Sequence, residues 1–390
     1  MRKIVSALIG AIVLLAGGAR ADTFPAKGDP GHATIRHLKT VDGERRYLVQ
    51  PVPGGKGLPV VILLHGGTQD ARRIWKQTSL PTLGLEKHFI MVAPDGLDGH
   101  WNDGRGSTIA ADGPSSADDL AFLDAVIADV VARDGGDPNA VFMAGVSNGG
   151  FMTMHFVCSG RYPLRAGANL ISTLPVAAQG ACHPRRPTPW LSLNGTTDTL
   201  IPFDGQPAGA RRRGGEQPAL LSAEATFDFF ATKAGCTGAG ESRRLPDLDP
   251  RDGSTVLMTE KACPGGGHAT RYVVEGGGHI TPGLKVGPVI ARMVGGANMD
   301  VDTGTLLWSF FQARLPEAKG AGEQSPCSDV VSPSWMDKEG QGMTRGILAG
   351  IIAGLLIVGG YVAYRADQKD KDTFSIEVGP EGVKVDPAGE

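Results

Sequence analysis

The run Ala140-Val-Phe-Met-Ala-Gly145-Val146-Ser147-Asn148-Gly149-Gly150 leads four apolar residues into a Gly-x-Ser-x-Gly pentapeptide, and Phe151-Met-Thr-Met-His-Phe-Val157 follows it. The pattern predicts a strand, a sharp turn and a helix, with the Ser147 hydroxyl at the apex. Glycines on either side fit a turn in which a side chain would collide with neighbouring backbone. A serine hydroxyl is a poor nucleophile until a base takes its proton, and the base works best when a carboxylate fixes its tautomer. The chain must therefore supply one acid and one histidine near Ser147.

On the strand–elbow–helix framework of α/β-hydrolases the three groups occur in the order Ser, acid, His, at strand ends. Pro189-Trp-Leu-Ser-Leu-Asn194 reads as a strand, and Asp198 lies in the loop at its end, with Asp204 as competitor. Two histidines follow three glycines, His268 and His279. His268 precedes the strand expected over 271–275 and His279 follows it, so His279 falls on the edge that carries Ser147. The three glycines before His279 are expected to leave room for its imidazole, and Pro282-Gly283 to fix the turn behind it. Acyl transfer also needs donors for an oxyanion, usually two backbone N–H groups. One is expected from Asn148. The other is expected from Leu64-His65-Gly66-Gly67-Thr68-Gln69, with Gly67 the first choice and Thr68 the second.

The elements that must position these residues are legible as apolar runs. Residues 45–50 alternate and end at Pro51, and Pro59-Val-Val-Ile-Leu-Leu64 is an unbroken apolar run of the kind buried on both faces of a parallel sheet. Residues 89–93 repeat the pattern. Ser116 and Asp119 have capping-box spacing ahead of Leu120, Leu123, Ile127 and Val130 on one helical face. Further strands are expected at 167–171, 190–194 and 271–275, and helices at 223–233 and 303–314. Alternation of this kind predicts an α/β fold, a mostly parallel central sheet with helices on both faces. Residues 207–218, with Arg211-Arg212-Arg213, read as a surface loop.

Both ends stand outside that fold. Arg2 and Lys3, the apolar run 4–16 and Ala19-Arg-Ala21 have the form of a signal peptide over 1–21. The hydrolase domain is expected over 22–315 and a Gly-, Ser- and Pro-containing linker over 316–345. Residues 346–364 carry no charge and cover about 28 Å as a helix, which predicts one C-terminal transmembrane helix. Gly346, Gly350 and Gly354 recur every four residues on it, a stripe suited to a helix-mediated dimer. The tail 365–390 could form a hairpin around Gly379-Pro-Glu-Gly382, and Arg365, Lys369 and Lys371 place it in the cytoplasm. The net charge of −3 and the lack of a basic stripe exclude nucleic acid as a partner. Five cysteines in an exported chain predict the pairs Cys158–Cys182 and Cys236–Cys263, the second bracketing a loop-like insertion, with Cys327 left single. Cys263 and His268 are too few for zinc, and no metal or organic cofactor is implied.

The segments Leu64-His-Gly-Gly-Thr-Gln69, Pro94-Asp-Gly, Trp101-Asn-Asp-Gly-Arg105, Asp118-Asp-Leu-Ala-Phe122, Gly145-Val-Ser-Asn-Gly-Gly150, Asn194-Gly-Thr-Thr-Asp198 and Gly276-Gly-Gly-His-Ile-Thr-Pro-Gly283 occur in that order over residues 34–315. Taken together the chain resembles the secreted α/β-hydrolase esterases grouped as polyhydroxybutyrate depolymerases, with related feruloyl and acetylxylan esterases. The resemblance implies a triad at Ser147, Asp198 and His279 and an oxyanion loop over 65–68. Where that family usually has Thr-Trp-Pro-Gly after the histidine, this chain has Ile280-Thr281-Pro282-Gly283, so the pocket beside Thr281 lacks the family's tryptophan. Thr68, Trp101, Asn102 and Thr281 are the candidates for the substrate cleft. The expected function is a serine ester hydrolase, exported and tethered to the membrane. Its small or oligomeric substrates would be hydroxyalkanoate oligomers or aromatic and acetyl esters of plant polysaccharides. Two other classes share the motif, a membrane-anchored binding protein on a retired hydrolase fold and a serine peptidase of the same fold.

Overall fold

Strand β3 (Leu58–Leu64) shows how the sequence builds the core. Its apolar side chains alternate between two clusters, Val60, Ile62 and Leu64 on one face of the sheet and Val61 and Leu63 on the other. A strand with both faces buried must lie inside a sheet covered by helices on each side. The computed structural model, which describes residues 25–106, 116–212, 215–263, 267–316, 375–379 and 382–386, has that architecture.

Ten strands form one sheet. Besides β3 they are β1 (Thr34–Thr40), β2 (Gly43–Gln50), β4 (Ile90–Pro94), β5 (Gly136–Val146), β6 (Ala166–Leu170) and β7 (Trp190–Gly195). After the short pair β8 (Ala210–Arg212) and β9 (Gly215–Gln217) come β10 (Glu241–Arg244), β11 (Thr255–Ala262) and β12 (His268–Glu275). The order is β1-β2-β4-β3-β5-β6-β7-β12-β11-β10. The central strands from β4 to β12 run parallel, and the antiparallel strands β1–β2 and β10–β11 close the two sides. The ladder aligns Leu64 with Gly145, Val146 with Leu170, Leu170 with Leu193 and Gly195 with Val274. The loops after β3, β5, β7 and β12 therefore emerge from one edge.

Helices α3 (Asp119–Asp134), α4 (Asn148–Cys158) and α5 (Ala223–Lys233) cover one face. Helices α1 (Ala71–Gln77), α2 (Leu80–Lys87) and α7 (Thr303–Gln312) cover the other. Stacked rings join sheet to helices on both sides, Trp190 with Phe230 and Phe142 with Phe311. Gly167 lies opposite Trp190 in the ladder, where a Cβ would strike the indole. The short helix α6 (Pro288–Val294) leaves Val289, Ile290 and Met293 exposed.

Several local expectations are corrected. Helix α3 is capped by Asp118, whose side chain accepts from Ala121 N–H at 3.0 Å, and not by the Ser116–Asp119 pair. Asp119 turns inward instead and pairs with Arg45 at 2.7 Å. Strands β8 and β9 form a short hairpin inside the stretch read as a plain loop. The structure joins Cys158 to Cys182 and Cys236 to Cys263. The second pair brackets strands β10 and β11 rather than a loop, because residues 241–244 pair with 257–260. Strand β1 and helices α1, α2 and α6 had no strong periodic signal.

Among the described residues no helix is long and apolar enough to cross a membrane. The leader 1–21, the span 346–364 and Cys327 lie outside the described residues. In the tail, β13 (Ser375–Gly379) and β14 (Gly382–Asp386) pair as the antiparallel hairpin that Gly379-Pro-Glu-Gly382 suggests.

Replacing the true cap, Asp118→Ala, is expected to lower stability by about 1 kcal/mol. Ser116→Ala is expected to leave the urea midpoint unchanged, and equal effects of the two would contradict the cap assignment.

Candidate active site

Ser147 sits between β5 and α4 with φ 53° and ψ −116°, a strained conformation for a residue with a Cβ. The flanking glycines explain why the turn is tolerated. A Cβ on Gly145 would collide with the Gly149 carbonyl, and one on Gly149 would come within 2.5 Å of the Leu64 and His65 carbonyl oxygens. The Ser147 N–H donates to Leu170 O at 2.9 Å, which ties the elbow to β6.

The loops after β7 and β12 bring the other two groups to the serine. His279 Nε2 lies 2.9 Å from Ser147 Oγ, and His279 Nδ1 lies 2.7 Å from Asp198 Oδ2. The second carboxylate oxygen of Asp198 accepts from the Leu200 and Ile201 N–H groups, both at 2.8 Å. The side chains of His279 and Asp198 are 10% and 2% exposed, so their contact is shielded from water. With the carboxylate taking the Nδ1–H, the Nε2 lone pair faces the hydroxyl, the arrangement a general base requires. The competitors lie elsewhere. Asp204 is exposed, and His268 opens β12 at the opposite edge, beside Glu260 and Phe310.

The glycines before His279 have a different purpose from the one expected. A Cβ on Gly276 would meet Gly253 O at 2.6 Å, and one on Gly278 would strike the Val294–Gly295 backbone. They make way for crossing main chain, not for the imidazole. That main chain holds His279: Gly278 N–H donates to Gly296 O at 2.8 Å and His279 N–H to Val294 O at 2.5 Å. The loop carrying Asp198 locks on as well, through Thr197 N–H to Gly277 O at 2.9 Å. These contacts, from α6 and the segment behind it, carry no signal in the sequence.

The loop after β3 flanks the serine from the other side. A Cβ placed on Gly66 would lie 3.6 Å from Ser147 Cβ, and one on Gly67 3.7 Å from Asn148 Cβ. Among the described residues the backbone N–H groups of Gly67 and Asn148 donate to no acceptor. Two free amides beside a serine hydroxyl can hold a developing oxyanion. Thr68, the second choice, is exposed with φ 60°, and its hydroxyl donates to Gly67 O at 2.7 Å.

His65 is wholly buried between these parts. Gly96 N–H donates to its Nε2 at 2.9 Å, so Nδ1 carries the proton and donates to Gly66 O at 2.8 Å. Burial pushes its pKa below the ordinary imidazole range and keeps the ring neutral.

Three candidates for the substrate cleft are placed otherwise. Trp101 is 3% exposed, and its indole N–H donates to His65 O at 2.9 Å. Asn102 spends its N–H on Asp119 and its carboxamide on Ala117 O. Thr281 is 8% exposed and lines a small, mostly apolar pocket with Leu63, Val146, Leu170 and Leu307. Trp101 and Thr281 are thus buried, while Asn102 is half-buried and tied to Ala117 and Asp119. A buried polar cluster between the elbow and the acid loop was not anticipated: Asn169 and Asn194 both donate to Ser172 O.

The parallel sheet, the elbow and the Ser–His–Asp constellation at its carboxyl edge define an α/β-hydrolase fold. No protein-family profile matches the chain. It is similar to the putative esterase NocK of Nocardia uniformis subsp. tsuyamanensis, with 25% identity over 278 residues, 69% of this chain and 80% of that one. It is also similar to feruloyl esterase B of Piromyces equi, 26% identical over 60% of this chain and 42% of that one. A probable feruloyl esterase C of Aspergillus niger is 31% identical over 36% of this chain and 50% of that one. The match thus spans less than two thirds of either feruloyl esterase. Among solved structures, acetyl xylan esterase from Aspergillus awamori aligns with a TM-score of 0.43 and 13% identity over 66% of this chain and 98% of that one.

A histidine whose folded pKa is depressed stabilises the fold fully above its ordinary pKa and loses that contribution as the pH falls. Burial depresses His65, His155 and His268 alike, so the urea midpoint is expected to fall between about pH 7.5 and about pH 5. His65→Gln is expected to be less stable at neutral pH and to show a shallower fall. An unchanged slope in that variant would remove His65 as a source.

Proposed function

We propose that this protein is a serine carboxylic-ester hydrolase working through an acyl-enzyme. The observation that carries the reading is the pair of contacts made by His279, 2.9 Å to Ser147 Oγ and 2.7 Å to Asp198 Oδ2. Ser147 Oγ attacks the ester carbonyl while His279 Nε2 takes its proton. Asp198 holds the imidazole in the required tautomer and stabilises the imidazolium. The carbonyl oxygen, now negative, is held by the Gly67 and Asn148 amides. As the tetrahedral species collapses, the C–O bond to the alcohol breaks and His279 returns the proton to the leaving oxygen. Water then attacks the acyl-enzyme with His279 again as base, and the acid is released with Ser147 restored.

The names of the relatives support aromatic esters, as in feruloyl esterases, and the resemblance of the motifs adds acetyl esters of plant polysaccharides. Hydroxyalkanoate oligomers are the other acyl class implied by the resemblance of the motifs. Two cystine bridges support an oxidising, extracytoplasmic location, where residues 346–364 would tether the enzyme to the membrane.

Ser147→Ala is expected to lower kcat on a nitrophenyl acetate by at least ~10⁴-fold, and Asp198→Asn by about 10⁴-fold with KM little changed. A fluorophosphonate probe should label the parent at Ser147 and leave Ser147→Ala unlabelled. Full hydrolysis by Ser147→Ala would refute the mechanism. Turnover of methyl ferulate, acetylated xylan and hydroxybutyrate oligomers by the parent ranks the substrate classes.

A further inference from the structure

The two amides assigned to the oxyanion come from different strands. The β3·β5 ladder fixes their separation only as far as Leu64 opposite Gly145. Beyond it His65, Gly66 and Gly67 run without a strand partner, and Thr68 adds a strained φ of 60°. Oxyanion donors must nevertheless sit about 2.7–3.1 Å from the developing charge, and an error of about 1 Å costs roughly 100-fold in rate. Something outside the sheet has to set the distance.

We propose that the loop 96–105 is the bracket that sets it, with the Asn148 carboxamide and His65 as its two attachment points. The inference rests on the ester-hydrolase reading and adds positioning residues to it. On the elbow side, Asn148 Oδ1 accepts from Trp101 N–H at 2.8 Å, and Asn148 Nδ2 donates to Trp101 O at 3.2 Å and to Asp103 at 2.5 Å. Arg105 pairs with Asp103 at 2.6 Å and stacks 3.8 Å over the Phe151 ring, in the first turn of the same helix. On the β3 side, the Trp101 indole N–H holds His65 O, and Gly96 N–H holds His65 Nε2. The His100 ring lies against Gly67, within 3.5 Å of where its Cβ would be.

One residue, Trp101, thus meets both halves. Its main chain is held by the residue that carries one amide, and its side chain holds the segment that carries the other. The bracket is itself fixed to the body, because Asn102 N–H donates to Asp119, which is paired with buried Arg45. A Trp-Asn dipeptide in the sequence looks like cleft lining. Its placement makes it a strut.

Two substitutions separate the attachments. Trp101→Phe keeps most of the ring and removes only the bond to His65 O. Asn148→Ala removes three side-chain bonds and leaves the backbone N–H in place. Each is expected to lower kcat on a nitrophenyl acetate roughly 10- to 100-fold with KM within about threefold, and to weaken a boronic-acid inhibitor by the same factor. Because one bracket is opened in both, the double variant should be little worse than the poorer single. Deuterium exchange at residues 65–69 should rise in both variants. Additive losses, or unchanged kcat and boronate affinity, would overturn the proposal; a lower melting temperature with unchanged kcat would also overturn it, as a purely structural role. A parent that hydrolyses no ester refutes the ester-hydrolase reading instead, and the bracket then stands or falls on whether exchange at 65–69 rises.

Discussion

The close approach of α4 to the ends of β3 and β5 is the constraint on which the site depends. Gly145, Gly149 and Gly150 have no Cβ, so the first turn of the helix lies directly on the Leu64 and His65 carbonyls and beside Ser172. That contact forces Ser147 into its strained turn and pushes the hydroxyl out at the sheet edge. It also starts the helix immediately after the serine, so the Asn148 amide is one of the unpaired N–H groups found at any helix N-terminus. The strain at Ser147, the exposure of its hydroxyl and the unpaired Asn148 amide, the proposed oxyanion donor, thus follow from one packing event.

Asp198 and His279, the proposed acid and base, are arranged by a second set of close approaches. Strands β7 and β12 are neighbours, so the loops leaving them cross within contact of each other. Gly195 would clash with the Gly277 carbonyl if it carried a Cβ, and Thr197 donates to that same carbonyl. The Gly276–Gly278 triplet lies on the backbone behind α6, which takes the His279 N–H. The imidazole is therefore gripped at its main chain by one segment and at Nδ1 by another. Rigidity of this kind is what a base needs if its lone pair is to stay on a hydroxyl 2.9 Å away.

Between the elbow and the acid lies β6, whose end turns sharply. Ile171 has φ 46°, costly for a β-branched residue, and the turn is held by Ile171 N–H to Leu193 O and by Asn169 and Asn194 on Ser172 O. Polar side chains in the core are placed here because the strand ends leave carbonyls that need donors. The same need appears on the β3 side, where His65 stays neutral and pairs one ring nitrogen with a donor and the other with an acceptor.

What the sequence by itself determined was the framework: apolar runs long enough to be parallel strands, helical periods between them, and a Gly-x-Ser-x-Gly turn that few contexts tolerate. Those signals are local, because strand burial and glycine-dependent turns are imposed within a few residues of the chain. They located Ser147, Asp198 and His279 at strand ends, and parallel register then brings such ends to one edge. Only the tertiary structure decided which neighbours those residues meet. It buried Trp101 and Thr281, tied Asn102 to Ala117 and Asp119, moved the helix cap from Ser116 to Asp118, and assigned Gly276 and Gly278 to crossing backbone. The physical reason is that a loop's direction is set by what it packs on, and its partners, such as Val294 for His279 or Trp101 for Asn148, lie far off in sequence or on another element, beyond any local pattern.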